Sequence, residues 1–492
     1  MRCSVLRGNL PVVLLLVLFL VAVPGAAYAS DGLRSWSGDV PEGASSLESQ
    51  SVSVQSAGKD IMLGVFFNSK TDWTNSIYAS YNGTSLFKIA EAYKGGGINK
   101  PYLGNHYAQY DPSIIYHDGY FWSLSGWNKN DGKIWLMISY SKDLVHWTHP
   151  EGSFVGNGIS VDSYPVGLNG KTLKAFDTVA PEWFVSKNGS IYIVVSAGYY
   201  GDFHGQPTKD AMQAYSIKVK SLSASDGSPA EKGYLWPRNL KMSADKAKKL
   251  PFTNSKSADF IDGAFYNDNG TDYLIIKKDG LTNQLYKTSN IDNVKGWKLV
   301  NKCVSRGYEG PSIAKIAGKY VLFGDHVTGA TADGVKMTSS KSLTKTGKWA
   351  AFQDARFVGQ NGKSLTARHG SVLTLKAGTD AWRVVKDLLD EKIKTSKFAP
   401  KVSIAKTASA KRAFTVKWKA QKTASGYQVR YATSKGMGNA KTSSASAKKS
   451  SLTVKKVKAG GKYYVQLRSV QKIGDKSVYS AWSKVKAVSV KK

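Results

Sequence analysis

An all-β fold, a five-bladed β-propeller followed by a small β-sandwich, is predicted by three features of the sequence. A Gly turn followed by aromatic and β-branched residues recurs as Asp118-Gly119-Tyr120-Phe121-Trp122, Asn188-Gly189-Ser190-Ile191-Tyr192, Asn269-Gly270-Thr271-Asp272-Tyr273 and Gly318-Lys319-Tyr320-Val321-Leu322. Such segments read as hairpins. A Ser/Thr-rich turn that closes on a Trp recurs beside it: Ser141-Lys142-Asp143-Leu144-Val145-His146-Trp147, Thr288-Ser289 running to Trp297, and Ser340-Lys341-Ser342-Leu343 running to Trp349. Repeated β units with one aromatic closure each are the mark of propeller blades. Third, alternating strands return late in the chain as Phe414-Thr415-Val416-Lys417-Trp418, Tyr427-Gln428-Val429-Arg430-Tyr431 and Tyr463-Tyr464-Val465-Gln466-Leu467-Arg468. A Trp on an early strand and a Tyr on a late one suit a small sandwich.

Taken in order, residues 1–29 read as a secretory signal. Arg2 and Arg7 make its positive start, residues 12–23 its apolar stretch, and Ala27-Tyr28-Ala29 a small-x-small cleavage site. The apolar run is short for a bilayer span, and no basic stop-transfer cluster follows it. The propeller is expected over 58–383. Its five blades begin near Asp111, Ala180, Asp262, Glu309 and His369, and the run 61–67 pairs with the last blade to close the ring. Residues 203–257 are an insertion between the second and third blades, with Ala214-Tyr215-Ser216-Ile217-Lys218-Val219 as an outer strand. A short helix and linker fill 384–397, and the sandwich occupies 398–492.

Cysteine and charge narrow the setting. Removal of Cys3 with the signal leaves Cys303 as the single thiol, so stability is expected from core packing alone. No Cys/His cluster points to structural zinc. The chain carries a formal charge of +34. Residues 398–492 hold 23 Lys and Arg against one acid, Asp475, while residues 30–397 carry +10. An exported chain without a nucleic-acid motif argues against nucleic acid as the partner. The remaining readings are a solvated surface or retention on an anionic cell wall or polysaccharide, which salt would reverse. The protein is expected to be secreted, extracellular or wall-associated, with no membrane span after cleavage.

Three acids carry the chemistry. Asp111 lies in Tyr110-Asp111-Pro112-Ser113-Ile114-Ile115, Asp262 in Phe260-Ile261-Asp262-Gly263-Ala264, and Glu309 in Tyr308-Glu309-Gly310-Pro311-Ser312-Ile313. Taken singly, Asp111 before a proline reads as a turn cap, Asp262 as a turn residue and Glu309 as a solvated loop acid. All three stand at the same point of a repeating unit, and a radial arrangement of those units brings them together. Glycosidic hydrolysis by inversion needs one ionised carboxylate to activate water and one protonated carboxyl to protonate the leaving oxygen. A third carboxylate near the acid raises its pKa by like-charge repulsion.

With Ala180-Pro181-Glu182 and the Asp143-Leu144-Val145-His146-Trp147 run, these segments resemble the family-43 glycoside hydrolases along about 300 residues. Those are five-bladed enzymes acting mainly on arabinose- and xylose-containing polysaccharides. The resemblance implies Asp111 as general base, Glu309 as general acid, and Asp262 as the residue that tunes and orients the acid. Glu182 is expected to face the same centre, and Trp127 and Trp183 to offer an aromatic platform, with packing between blades as the competing reading. Arg306 is placed to bond a sugar hydroxyl or a catalytic carboxylate, with a surface salt bridge as the alternative. His369 matches a central histidine of many relatives, some of which hold a calcium or other ion on the axis through water and that residue. Here the histidine is read first as axial or substrate-facing and second as a metal ligand, with no cofactor required. Val179 departs from the Trp that many members carry before the second-blade Ala-Pro. The sandwich resembles a fibronectin type III domain over its whole length.

The expected function is a secreted inverting hydrolase of plant-type pentose polymers or their oligosaccharides. The order of substrates is α-L-arabinofuranoside, then β-xyloside, then arabinan cut internally. Retaining five-bladed fructosidases carry a Trp/Asn-Asp-Pro-Asn segment, and Tyr110-Asp111-Pro112-Ser113 argues against them. The alternative is a non-catalytic carbohydrate-binding or wall-adhesive protein.

Overall fold

The computed structural model describes residues 59–67, 75–93, 111–127, 133–147, 159–160, 177–198, 212–224, 241–253, 259–278, 281–328, 331–345, 348–395, 399–421, 424–473 and 476–492. The export signal expected at 1–29 lies outside the described residues. Nearly every described element is a strand, and one α-helix accompanies them. The all-β expectation holds.

Five sheets precede the helix. The first runs Ser113–His117, Tyr120–Trp127, Lys133–Ser141 and Ile159–Ser160. The second runs Asp177–Val185, Ile191–Gly198, Gln213–Ser223 and Lys241–Ala244. The strand expected on its outside is therefore third in the sheet, with Lys241–Ala244 beyond it. The third sheet is Phe260–Asp268, Thr271–Lys278, Thr282–Thr288 and Lys298–Arg306. The fourth is Tyr308–Ile316, Lys319–Thr328, Thr331–Ser340 and Gln353–Asp354.

The fifth sheet joins the two ends of this region. Arg368–Leu375 is its first strand, and Ile61–Phe67 pairs with it antiparallel, Leu63 opposite Leu373. Asn75–Ser80 and Ser85–Tyr93 follow outward. A sheet shared by early and late residues locks the chain at the cost of long loop closure, which many buried contacts must offset. The run 61–67 is buried at every position.

The five sheets pack in a cycle. Each first strand touches the first strand of the next sheet, and the fifth touches the first. One apolar cluster fills each gap. Trp122, Tyr140, Trp183 and Ile193 lie between the first and second sheets, and Phe184, Val194, Phe265 and Leu274 between the second and third. Ile275, Leu285, Ile313 and Leu322 fill the next gap, then Phe66, Met62, Phe323 and Val321, and Leu63, Ile77, Ile114 and Phe121 complete the round. Sheets covered on both faces account for the long apolar strands, such as Ile191–Gly198, that lack simple alternation. Two-residue hairpins at Asp118-Gly119 and Asn269-Gly270 have both residues at positive φ, from 49° to 86°. That is the turn whose twist suits adjacent antiparallel strands.

The helix expected within 384–397 runs Asp380–Thr395 and is no free linker. Ala381, Val385, Leu389 and Ile393 recur at fourfold spacing and are buried in the cluster that holds Leu63 and Ile77. A stripe at that period must find an apolar partner, and the fifth sheet supplies it. Thr379 Oγ1 accepts the Trp382 N–H at 3.3 Å, and Tyr81 donates to Asp390 at 2.8 Å.

Two further sheets follow. Ile404–Ala410, Ala413–Trp418 and Ser451–Lys455 form one; Lys441–Ser446, Gly426–Ala432, Lys462–Ile473, Lys476–Tyr479 and Lys486–Ser489 form the other. Phe414, Val416, Trp418, Tyr427, Val429, Val465 and Leu467 make their common core. Cys303 lies on Lys298–Arg306, and the expectation that it is a lone thiol turns on Cys3, which lies outside the described residues. That expectation assumed loss of residues 1–29, which are outside the described set.

Candidate active site

The first strands of the five sheets carry the same local feature. The segments Asp111-Pro112-Ser113, Ala180-Pro181-Glu182, Asp262-Gly263-Ala264, Gly310-Pro311-Ser312 and His369-Gly370-Ser371 are equivalent by position. Asp111, Ala180, Asp262 and Gly310 have φ of 50°, 46°, 57° and 56°. The ladders slip between Val179 and Glu182, Ile261 and Ala264, and Glu309 and Ser312, and again opposite Gly370. Bulges of this kind re-aim side chains, and a left-handed non-glycine residue costs about 1–2 kcal/mol. Glycine is required where the backbones crowd: a Cβ on Gly310 would come within 2.4 Å of the His369 ring, and one on Gly370 within 2.0 Å of the Val65 carbonyl.

The bulges enclose a cavity of about 10 Å³ lined by Asp111, Glu182, Asp262 and His369 among proline and glycine backbone. That is room for about one water. Serine hydroxyls stitch the sheets below it. Ser113 Oγ accepts from Trp183 N–H at 2.9 Å, Ser371 Oγ from Ile114 N–H at 3.2 Å, and Ser312 Oγ from Val372 N–H at 3.0 Å. In the second sheet Glu182 takes the serine position, and Ser312 donates to its Oε1 at 3.0 Å. The fourth sheet thus reaches the second across the ring. Desolvation pushes the Glu182 pKa up to about 8, although Ser312 and His369 pull against it. Burial thus favours the neutral form of Glu182.

Asp111 and His369 form one half of the charge network, with His369 Nδ1 2.9 Å from Asp111 Oδ1. Burial opposes charge on His369, but Asp111, and then Asp262 and Glu309, push its pKa up to about 10. The imidazolium donates to Oδ1 of Asp111. Asp262 and Glu309 form the other half. Burial would raise Asp262, but Lys277, His369 and the Gly310 N–H outweigh it and hold it below the usual carboxylate range. Lys277 Nζ is 2.8 Å from Asp262 Oδ2 and 3.1 Å from Glu309 Oε2. Arg368 Nη2 lies 3.4 Å from Glu309 Oε1, and its Nε bonds Asp325. Burial pushes Asp325 up despite Arg368.

The structure brings the three acids together with His369 in one set of interacting charges, and Glu182 lines the same cavity as Asp111, Asp262 and His369. Two other expectations are corrected. Trp183 is 3% exposed and packed between the first two sheets, so it offers no platform for a sugar. Its alternation along Asp177–Val185 puts it on the face away from Glu182. Arg306 ends its strand exposed, and the arginine beside Glu309 is Arg368. Trp127 ends Tyr120–Trp127, with its side chain outside the described residues. The expected repulsion between Asp262 and Glu309 is also altered, because an ammonium stands between them. Sequence reading missed Lys277, Arg368 and Asp325. The available signal was a charge inside an apolar strand, as in Leu274-Ile275-Ile276-Lys277 and Leu322-Phe323-Gly324-Asp325. Among the described residues no group of three or more His, Cys, Asp or Glu is placed to hold a metal ion, and His369 Nδ1 is engaged by Asp111.

Glycoside hydrolases are among the solved structures to which the chain is similar. An exo-β-1,3-galactanase from Clostridium thermocellum shares 15% identity with a TM-score of 0.37, over 76% of this chain and 82% of that one. A thermostable family-43 glycoside hydrolase shares 14% at 0.32, over 78% and 96%. A Bacillus subtilis arabinanase shares 16% at 0.29, over 55% and 80%. At this identity and superposition the likeness carries no chemistry. No family model and no curated protein matches the chain.

Proposed function

We propose that this protein is a secreted glycoside hydrolase of the family-43 kind, inverting configuration on pentose-containing polysaccharides or oligosaccharides. The observation that carries the reading is the meeting of Asp111, Asp262 and Glu309. They come from three different sheets and enter one charge network with His369, Lys277 and Arg368. Asp111, oriented by His369, is the base that activates water. Glu309 is the acid that protonates the leaving oxygen, and Asp262 acts on it through Lys277. No metal is assigned a step. The cycle of five sheets supports a five-bladed propeller for 58–383, and the paired sheets around Trp418 and Tyr427 support a fibronectin type III-like unit for 398–492.

The test is hydrolysis by purified residues 30–492, with the first-formed anomer read by NMR. Aryl α-L-arabinofuranoside is the substrate expected to be cleaved best, followed by aryl β-xyloside and then arabinan; arabinoxylan and β-1,3-galactan complete the panel. Release with inversion supports the proposal, and retention overturns the mechanism. Binding to a glycan without turnover on the whole panel would favour the adhesive alternative.

Anionic wall polymer is the partner proposed for the sandwich. Lys406 stands directly opposite Lys417 on exposed strand positions, with Lys455 further along the same sheet. Like charges directly opposite each other repel, and an anionic partner relieves that repulsion. The full protein is expected to be retained on an anionic polymer matrix at low salt. It should elute by about 1 M NaCl, where the Debye length is about 3 Å. Lys406→Glu/Lys417→Glu should elute earlier, and equal elution of the two proteins would remove this face from the interaction.

A further inference from the structure

Two carboxylates from neighbouring sheets share one ammonium. Lys277 lies opposite Ile261 in the third sheet, and its side chain is 9% exposed. Both oxygens of Glu309 face cationic donors, Oε2 toward Lys277 and Oε1 toward Arg368. The other charged groups around Glu309 are Asp262 behind Lys277, Asp325 opposite it in the ladder, and His369 from the fifth sheet. A lysine in a dry strand is costly unless it is paired. Here burial would lower its pKa, but Asp262 and Glu309 outweigh that and raise it.

We propose that Lys277 is a positioning residue that ties Glu309 to Asp262 and sets the pH range over which Glu309 carries the proton it must donate. The proposal rests on the reading of Glu309 as the acid. With Lys277 present, Asp262 acts on Glu309 through an intervening positive charge. Without it, the two carboxylates repel directly and Glu309 holds a proton to higher pH.

The experiment is a ¹³C-carboxyl NMR titration of substrate-free protein labelled in Glu, with the Glu309 signal assigned by its loss in Glu309→Gln. Lys277→Met is expected to move the Glu309 midpoint upward by at least about one pH unit, and Lys277→Arg to leave it near wild type. An unchanged midpoint in Lys277→Met overturns the proposal, whether or not any sugar is hydrolysed. If Lys277→Met does not fold, Lys277→Met/Asp262→Asn removes the stranded carboxylate. A smaller upward shift is then expected, and no shift overturns the proposal. Once a substrate is known, the alkaline limb of kcat/KM should move with the midpoint while KM stays within about twofold. A slower enzyme with an unmoved limb would make Lys277 merely structural.

Discussion

Asp111→Asn is expected to remove hydrolysis almost entirely, lowering kcat/KM by about 10²–10⁴-fold or more on every substrate. The asparagine keeps the shape and accepts the His369 N–H through its carbonyl, so the fold should persist. It cannot take a proton from water. Glu309→Gln should fall by a similar factor on natural glycosides, whose leaving oxygen needs a proton. It should recover much of its rate on aryl glycosides with acidic phenols, which leave without one. That split separates base from acid in a single panel. A loss in both variants that did not depend on the leaving group would show damage to the site as a whole. Full activity in Asp111→Asn would remove it as the base.

The second large effect is on stability. Glu182 has a folded pKa of about 8 against an ordinary value of 4.5, raised chiefly by desolvation. A carboxyl raised in this way stabilises the fold fully below its unfolded pKa. That contribution is lost as pH rises through about 8, because the unfolded chain releases the proton first. Glu182→Gln keeps the acceptor for Ser312 and cannot ionise. Its unfolding free energy should match wild type near pH 4.5 and exceed it progressively up to pH 8, by an amount on the order of a few kcal/mol at the plateau. A constant difference across that range would mean that the carboxyl does not titrate as its surroundings imply. If Glu182 also touches sugar, KM will rise at all pH values while the stability gain persists.

The five bulged segments were legible because a bulge needs particular residues. Proline or glycine follows the aimed position each time, at Pro112, Pro181, Gly263, Pro311 and Gly370, and the acids beside them could be picked out. Trp183 could not be placed from the sequence. A tryptophan one residue from a pocket-facing glutamate reads equally well as a wall of the site or as packing, and strand alternation decides only once the register is known. Arg306 was misjudged for a related reason. It is close to Glu309 along the chain, but the turn at Gly307 separates them, and Arg368 arrives from another sheet.

By itself the sequence determined the strand periodicity, the repeat, the pairing of 61–67 with the last unit and the basic tail, and it offered the three acids as candidates. All but the pairing, which follows from the need of a repeated unit to close, depend on near neighbours along the chain: alternation, turn residues and local charge. Only the tertiary structure decided which side chains share a charge. Lys277 lies between Asp262 and Glu309, Ser312 reaches Glu182 across the ring, and His369 meets Asp111 258 residues before it, because a ring of sheets brings remote positions to a common axis. The physical reason is range. Backbone preferences act over a few residues, whereas a salt bridge in a dry interior depends on where the packing of five sheets leaves its partners.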